Sequence, residues 1–368
     1  MIGSAAFLIS GTNVYYRNLN DPSHISTTLG SVGNVLAAPA VRWDSISYLG
    51  IAEHGYRGLG PTAYFPFYPL LIHVGSWSGL SPIIVGILIS CTATLIGLLI
   101  VHRLTERELG PAAAGPAVTL LAFAPLSLYL SAVYTEGLFF ALSAGTFYVA
   151  RQGRWKLAGI LGGLAAMTRI TGVLLFAPVL LLYLYGPRDD QATRRAAPGL
   201  ISTLKPRHAI RPVALWFGLI PAGLASFCVY TALNGQGFLA TFHSQQHLGG
   251  HRFTSPFEGI WEGIVAAPQH FRMLAVLVVA VIALIGVFRR LPAAYGVYVL
   301  LGLLIPLSSP SVGDPLRGLP RYASMLFPVF MWAGSWSAGR WFKPLVLAGS
   351  IVLLTICTVQ FATWHPVL

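Results

Sequence analysis

Val41-Arg-Trp-Asp-Ser-Ile-Ser-Tyr-Leu-Gly-Ile-Ala-Glu-His-Gly-Tyr56 gathers Arg42, Asp44, Glu53 and His54 into one short stretch of a chain in which 9% of the residues are charged. Trp43, Tyr48 and Tyr56 are interleaved among them, and the aromatic run Tyr64-Phe-Pro-Phe-Tyr-Pro69 follows almost at once. Charge is costly in hydrocarbon, so a lipid-embedded chain keeps such a cluster at a bilayer surface or beside a wet cavity.

Composition makes this chain lipid-embedded. Of its 368 residues 55% are apolar and the mean hydropathy is +0.70, whereas a soluble domain carries roughly 25% charged residues. The expected fold is an all-α polytopic membrane protein, a single integral domain over 1–368, its helices packed in lipid. Met1–Ser10 has neither a basic n-region nor a clear cleavage site, so no cleavable signal peptide is expected. Cys91, Cys228 and Cys357 fall in apolar runs and read as small packing residues rather than a disulfide framework.

Apolar runs at 82–101, 112–130, 137–150, 157–185, 212–233, 272–288, 293–309, 322–338 and 344–362 read as membrane helices, with 1–16 as a short first one. The cations lie between them: Arg103 and Arg107; Arg151, Arg154 and Lys156; Arg188, Arg194, Arg195, Lys205, Arg207 and Arg211; Arg289 and Arg290; Arg340 and Lys343. Cytoplasmic loops collect Lys and Arg. All these loops are cytoplasmic together if 64–80 is interfacial or re-entrant and 157–185 crosses twice, as two short helices meeting near Arg169-Ile-Thr-Gly172. The expectation is about eleven helices, with the N-terminus inside and the C-terminus outside. A first extracytoplasmic loop, 17–81, carries interfacial helices; 186–211 is a cytoplasmic loop and 234–271 an extracytoplasmic one. The net charge of +12 is then an orientation signal, and no nucleic-acid partner is expected.

Orientation also sorts the acids. Glu106, Glu108, Asp189 and Asp190 read as solvated charge in basic loops, which leaves Asp21, Asp44, Glu53, Glu136, Glu258, Glu262 and Asp314 outside. Asp44 is either a helix N-cap or a general base facing a pocket. On a helix Ser47, Tyr48 and Ile51 share its face. Glu53 and His54 would orient an acceptor or bond each other. Arg169, midway along an apolar run, needs an anionic partner or water. Glu136 in an ion pair and a lipid-linked phosphate both qualify, and guanidinium suits phosphate oxygens. Arg317 and Arg321, in Arg317-Gly-Leu-Pro-Arg-Tyr322, are phosphate ligands or snorkelling anchors. His243, His247 and His251 have a zinc-like spacing, but Gly249 and Gly250 interrupt it and no carboxylate accompanies it. No metal site is assigned, and the segment reads as a polar stretch contacting a hydrophilic substrate. No phosphate-binding glycine loop or Ser/His/Asp order appears.

Arg42-Trp-Asp44, Ile51-Ala-Glu-His-Gly-Tyr56, Phe65-Pro66 and Pro69 resemble the PIG-V family, the second mannosyltransferases of glycosylphosphatidylinositol synthesis and their bacterial relatives. The family pattern is Arg-Trp-Asp, Ile-Ala-x-x-Gly-Tyr and Phe-Phe-Pro-x-x-Pro, with Tyr64-Phe65 standing here for the phenylalanine pair. Ala124-Pro125 through Tyr134-Thr-Glu-Gly137 and Arg169-Ile-Thr-Gly172 are similar to further family motifs, with Ala124 and Thr171 where the family has Asn. Pro320-Arg-Tyr322 matches loosely.

The resemblance implies a GT-C-type glycosyltransferase fold. It implies a polyprenyl-phosphate sugar donor, typically of mannose, and chemistry on the extracytoplasmic face without a cofactor. Carried over by position, the functional Trp-Asp pair is Trp43 and Asp44. The expected function is transfer of a sugar to a lipid or glycan acceptor hydroxyl with inversion, in a bacterial cell membrane among membrane lipids. Asp44 is expected as catalytic base. Arg42, Trp43, Tyr48, Glu53, His54, Glu136, Arg169, Arg321 and Tyr322 are expected to bind substrate. The competing class is a transporter or lipid flippase, which would show repeated halves; none is visible. A non-catalytic scaffold is a third reading, against which the intact Trp43-Asp44 pair argues.

Overall fold

The computed structural model describes residues 13–190, 206–249, 252–311, 313–336 and 342–367. Most of the expected first helix, 1–16, lies outside them, as do Arg194, Arg195, Lys205, His251 and Arg340. The architecture is helical. Pro82–Leu109, Pro212–Leu233, Phe271–Arg290 and Pro344–Ala362 are each long and apolar enough to cross a bilayer, and Pro111–Ala122, Ile170–Tyr185 and Ala293–Leu307 are shorter apolar helices.

Among the described residues these helices do not establish the expected count of about eleven, and proline is one reason. The run 112–130 leaves the helix after Ala122 and turns past Pro125 before the one-turn helix Leu128–Ser131. The run 322–338 is divided into Leu319–Ser324 and Phe327–Trp336, with Pro328 opening the second piece. A residue before proline is disfavoured in helical geometry, so such runs part there. The segment 64–80 contains a ten-residue helix, Phe67–Ser76, about 15 Å long at ~1.5 Å per residue. The segment 234–271, read as a polar loop, carries the helices Ala240–Gly249 and Pro256–Val265.

Thr135–Arg151 is the central helix, buried along almost its whole length. It packs against Pro82–Leu109 and Trp155–Thr168, and the latter packs in turn against Leu219–Leu233. That last contact is backbone against backbone. A Cβ on Gly223 would lie 2.3 Å from the Gly163 carbonyl oxygen, and one on Gly163 would lie 2.8 Å from that of Leu219. Small residues that let helix axes approach are the usual substitute for hydrophobic drive in lipid.

The run 157–185 is interrupted where the sequence placed the break. Trp155–Thr168 ends, Arg169 is extended (φ −152°, ψ 148°), and a 3-10 turn, Ile170–Leu175, leads into Phe176–Tyr185. A Cβ on Gly172 would come within 2.3 Å of the Ala165 carbonyl group, so the chain folds back directly onto the helix it has left.

Ionic groups collect at both ends of Thr135–Arg151. At its C-terminal end Arg151 pairs with Glu108, both side chains 6% exposed, and the Tyr295 hydroxyl donates to Glu108 Oε1 at 3.0 Å. Glu108 is therefore a buried partner, not the solvated loop charge expected. Arg107 pairs with Asp189 beside it, and Arg188 Nε with Asp190 at 3.2 Å. Glu136 lies at the other end, roughly 22 Å away at ~1.5 Å per residue.

Gly223→Ala is expected to lower the stability of the detergent-solubilised protein by about 1–3 kcal/mol, the usual cost of overpacking. Gly218→Ala, where an added Cβ meets nothing within 4 Å, serves as the control. Equal thermal unfolding of the two variants would contradict the close helix approach.

Candidate active site

Trp43 has φ +54° and ψ −119°, a backbone state that costs a non-glycine residue of order 1–3 kcal/mol. It divides the Arg-Trp-Asp triplet three ways. Arg42, 1% exposed, turns inward and donates to the carbonyls of Ala38, Val41 (2.8 Å) and Ala362 (2.9 Å). Burial lowers its pKa to about 10, with Asp21 opposing the shift, so it stays charged at neutral pH. Trp43 packs against Tyr16 and Trp364. Asp44 opens the helix Asp44–His54 and faces a cavity.

The Tyr134 hydroxyl fixes this turn. It donates to the Arg42 carbonyl at 3.1 Å and accepts the Asp44 amide at 3.2 Å, bridging the strained residue. The Val133 amide donates to the Ala40 carbonyl at 3.0 Å, joining the same two segments.

Asp44 is not the N-cap. The cap position is Trp43, with no side-chain bond, and the Asp44 carboxylate is engaged elsewhere. Oδ2 receives Arg321 Nη1 at 2.8 Å, and Oδ1 receives the Tyr64 hydroxyl at 3.4 Å. Burial, then the Asp44 charge, pushes the Tyr64 phenol well up, which keeps it a neutral donor.

Arg321 Nε donates to Glu136 Oε1 at 2.7 Å, and Arg169 Nη1 reaches the same oxygen at 2.8 Å. Arg169 also donates to Thr135 Oγ1 at 2.9 Å. Glu136, with 1% of its side chain exposed, thus holds two guanidiniums at once. Arg321 lies over the rings of Tyr129 and Tyr134, at 5.0 and 5.1 Å from their centroids, and Arg169 over Tyr322 at 5.8 Å. Aromatic faces offset part of the cost of keeping cations away from water.

Asp44, Tyr48, Tyr64, Arg169, Arg321 and Tyr322 line one cavity of about 280 Å³, near the small end of the roughly 300–1,000 Å³ usual for ligand sites. Of the residues expected to bind substrate, Tyr48, Arg169, Arg321 and Tyr322 line it, and Glu136 stands behind its two arginines. Arg42 and Trp43 do not: the first holds the loop and the second the packing behind it. Glu53 and His54 are exposed, 3.9 Å apart. His54 lines a separate open groove of about 390 Å³ with Ser47, Arg57 and Tyr64. Arg317 is exposed and is not among the residues lining the cavity. The ion-pair reading of Arg169 is realised, with Glu136 as its partner.

Sequence reasoning missed Tyr64, Tyr134 and Gln245, the last reaching the cavity from Ala240–Gly249. His243 and His247 lie on that helix, which ends at Gly249. Among the described residues no group of three or more His, Cys, Asp or Glu could hold a metal ion. Cys91, Cys228 and Cys357 are free.

The fold is that of a known class of membrane protein. The structure is similar to ArnT from Cupriavidus metallidurans, solved bound to undecaprenyl phosphate, at a TM-score of 0.51 with 15% identity over 85% of this chain and 57% of that one. The apo state of the same protein gives a TM-score of 0.50 at 16% identity. The GT-C-type architecture expected from the sequence is thereby shown.

The motif resemblance recurs in comparisons of sequence. Residues 13–183 match the family model Mannosyltransferase (PIG-V), so the resemblance holds over just under half of the chain and includes every motif up to Arg169-Ile-Thr-Gly172. Among curated proteins, GPI alpha-1,6-mannosyltransferase 2 of Rattus norvegicus is 31% identical over 145 residues, and that of Cricetulus griseus 32% over 145. These matches span 36% of this chain and 29% of each relative's length.

Tyr134→Phe is expected to cost about 1 kcal/mol, because it removes the hydroxyl that joins the part-buried Asp44 amide to the Arg42 carbonyl. Thermal unfolding measures this, and an unchanged melting temperature would contradict the bridging role.

Proposed function

We propose that the protein is a membrane glycosyltransferase that moves a sugar from a polyprenyl-phosphate donor to an acceptor hydroxyl, with inversion, on the extracytoplasmic face. The observation that carries this is the grouping of Asp44, Arg321, Glu136 and Arg169 around one cavity. It offers a base and two phosphate-binding cations in a fold similar to that of ArnT. The extracytoplasmic assignment is supported by charge. Arg107, Arg151, Arg154, Lys156 and Arg188 cluster towards the far end of Thr135–Arg151, and basic loops face the cytoplasm. Mannose as the sugar and a bacterial cell membrane as the setting rest on the motif resemblance.

Two carboxylates balance two guanidiniums in the resting site. An arriving phosphate competes for Arg321 and releases Asp44 from it, so the base becomes available when the donor is bound. Arg169 and Arg321 then offset the charge growing on the departing phosphate. The acceptor oxygen bonds to the anomeric carbon as its proton passes to Asp44. The anomeric carbon–oxygen bond breaks, and polyprenyl phosphate leaves with the electron pair. Attack from the opposite face turns a β-linked donor into an α-glycoside. Phosphate is already a good leaving group, so positioning and base assistance supply most of the acceleration.

The groove lined by His54 and Arg57 shares Tyr64 with the cavity, and it offers a lipid or glycan acceptor a path to Asp44. A transporter or flippase gains no support from the comparisons, whereas Asp44, Arg169 and Arg321 converge on one cavity.

Purified protein incubated with defined polyprenyl-phosphate sugars tests the proposal. Asp44→Asn is expected to lower transfer by about 10²–10⁴-fold, the range for removing a positioned base, with expression intact. Full activity in that variant would remove Asp44 from the mechanism. Arg169→Ala is expected to raise the donor KM more than Asp44→Asn does. An unchanged donor KM would leave Arg169 as a structural partner of Glu136 alone.

A further inference from the structure

The four charged groups account for the phosphate and for the migrating proton, but none of them distinguishes one hexose from another. Among the described residues lining the cavity, Gln245 carries the one carboxamide. It comes from Ala240–Gly249, beyond the stretch that matches the family model. That helix is fastened over the loop following the motif helix. Ser244 Oγ donates to the Gly60 carbonyl at 2.8 Å, and Gln245 Nε2 to the Ala63 carbonyl at 2.9 Å. Just before the helix, Gln236 Nε2 donates to the Tyr56 and Gly58 carbonyls at 3.3 and 3.2 Å.

A carboxamide has two N–H donors and a carbonyl acceptor. With one N–H spent on Ala63, Gln245 keeps one donor and one acceptor on a side chain whose direction is already set. A sugar hydroxyl, itself one donor and an acceptor, is the complementary group. Of the other neutral polar groups of the wall, Tyr48 is bonded to Thr135 Oγ1, Tyr64 to Asp44 and Thr168 to the Leu164 carbonyl, while Ser309 and the Tyr322 hydroxyl also border the cavity but carry no carboxamide.

We infer that Gln245 is a specificity-determining residue that reads one ring hydroxyl of the donor sugar. This rests on the glycosyl-transfer reading above. It also assigns sugar choice to a helix that the family motifs do not contain.

The test uses the full-length protein in nanodiscs with polyprenyl-phosphate mannose and its 2-, 3-, 4- and 6-deoxy analogues. The wild type is expected to disfavour one analogue by about tenfold or more in kcat/KM, since a site built to bond a hydroxyl rejects the analogue lacking it. Gln245→Ala is expected to lower kcat/KM for the parent donor, chiefly through KM, and to leave that analogue unchanged, so the ratio falls towards one. Ser244→Ala, which removes a fastening bond without touching the cavity, is expected to keep the wild-type ratio. The inference is overturned if Gln245→Ala weakens every donor equally, as a loosened helix would, or if Ser244→Ala flattens the ratio as well. A wild-type protein that transfers mannose yet ignores every deoxygenation also overturns it, with glycosyl transfer intact. A wild type that transfers no sugar removes both readings.

Discussion

The Glu136 carboxylate holds two guanidiniums at the mouth of a mostly apolar helix bundle, and the rest of the site depends on that interaction. An ionised group brought there alone would be expelled or neutralised. With Arg169 at 2.8 Å and Arg321 at 2.7 Å on the same oxygen, each charge makes the others tolerable. Arg169 comes from the break between two helices and Arg321 from a short helix late in the chain, so the interaction also ties distant segments together. Asp44 completes the set by taking the remaining reach of Arg321.

This arrangement explains why the Arg-Trp-Asp triplet has the form it does. A side chain that must enter the cavity is separated from one that must hold the loop by a single residue in a strained turn. Tyr134 spans that turn, and the cost of Trp43 is offset by its packing on Tyr16 and Trp364. A base held in an ion pair is inactive until something displaces it. A charge-balanced resting site therefore suits the proposed transfer from an anionic donor to a hydroxyl acceptor.

Much of this was legible in the sequence, because charge in an apolar chain is conspicuous. Asp44, Glu136, Arg169 and Arg321 stood out on those grounds, and the structure brings them together. The helical break at Arg169-Ile-Thr-Gly172 was also readable, since the distribution of basic loops demanded a second crossing there. Arg42 was misplaced for an instructive reason: a charged residue in a functional motif can serve the backbone, and composition does not reveal which way it turns. Glu108 looked like loop charge because its partners, Arg151 and Tyr295, are remote in sequence. Tyr64 and Tyr134 stood inside motifs that did not reveal their roles, and Gln245 gave no signal, because those roles arise from what the fold sets beside each residue. Helix ends were missed where proline divides an apolar run.

The proposed mechanism requires a lipid-carried phosphate to take the place of Asp44 on Arg321. A cryo-electron-microscopy structure of the protein in nanodiscs, loaded with a non-transferable polyprenyl-phosphate sugar analogue, tests it most directly. Phosphate density is expected against Arg321 and Arg169, with the Asp44 carboxylate released and turned towards the anomeric carbon. Lipid phosphate bound elsewhere, with the Asp44–Arg321 pair still closed, would contradict it.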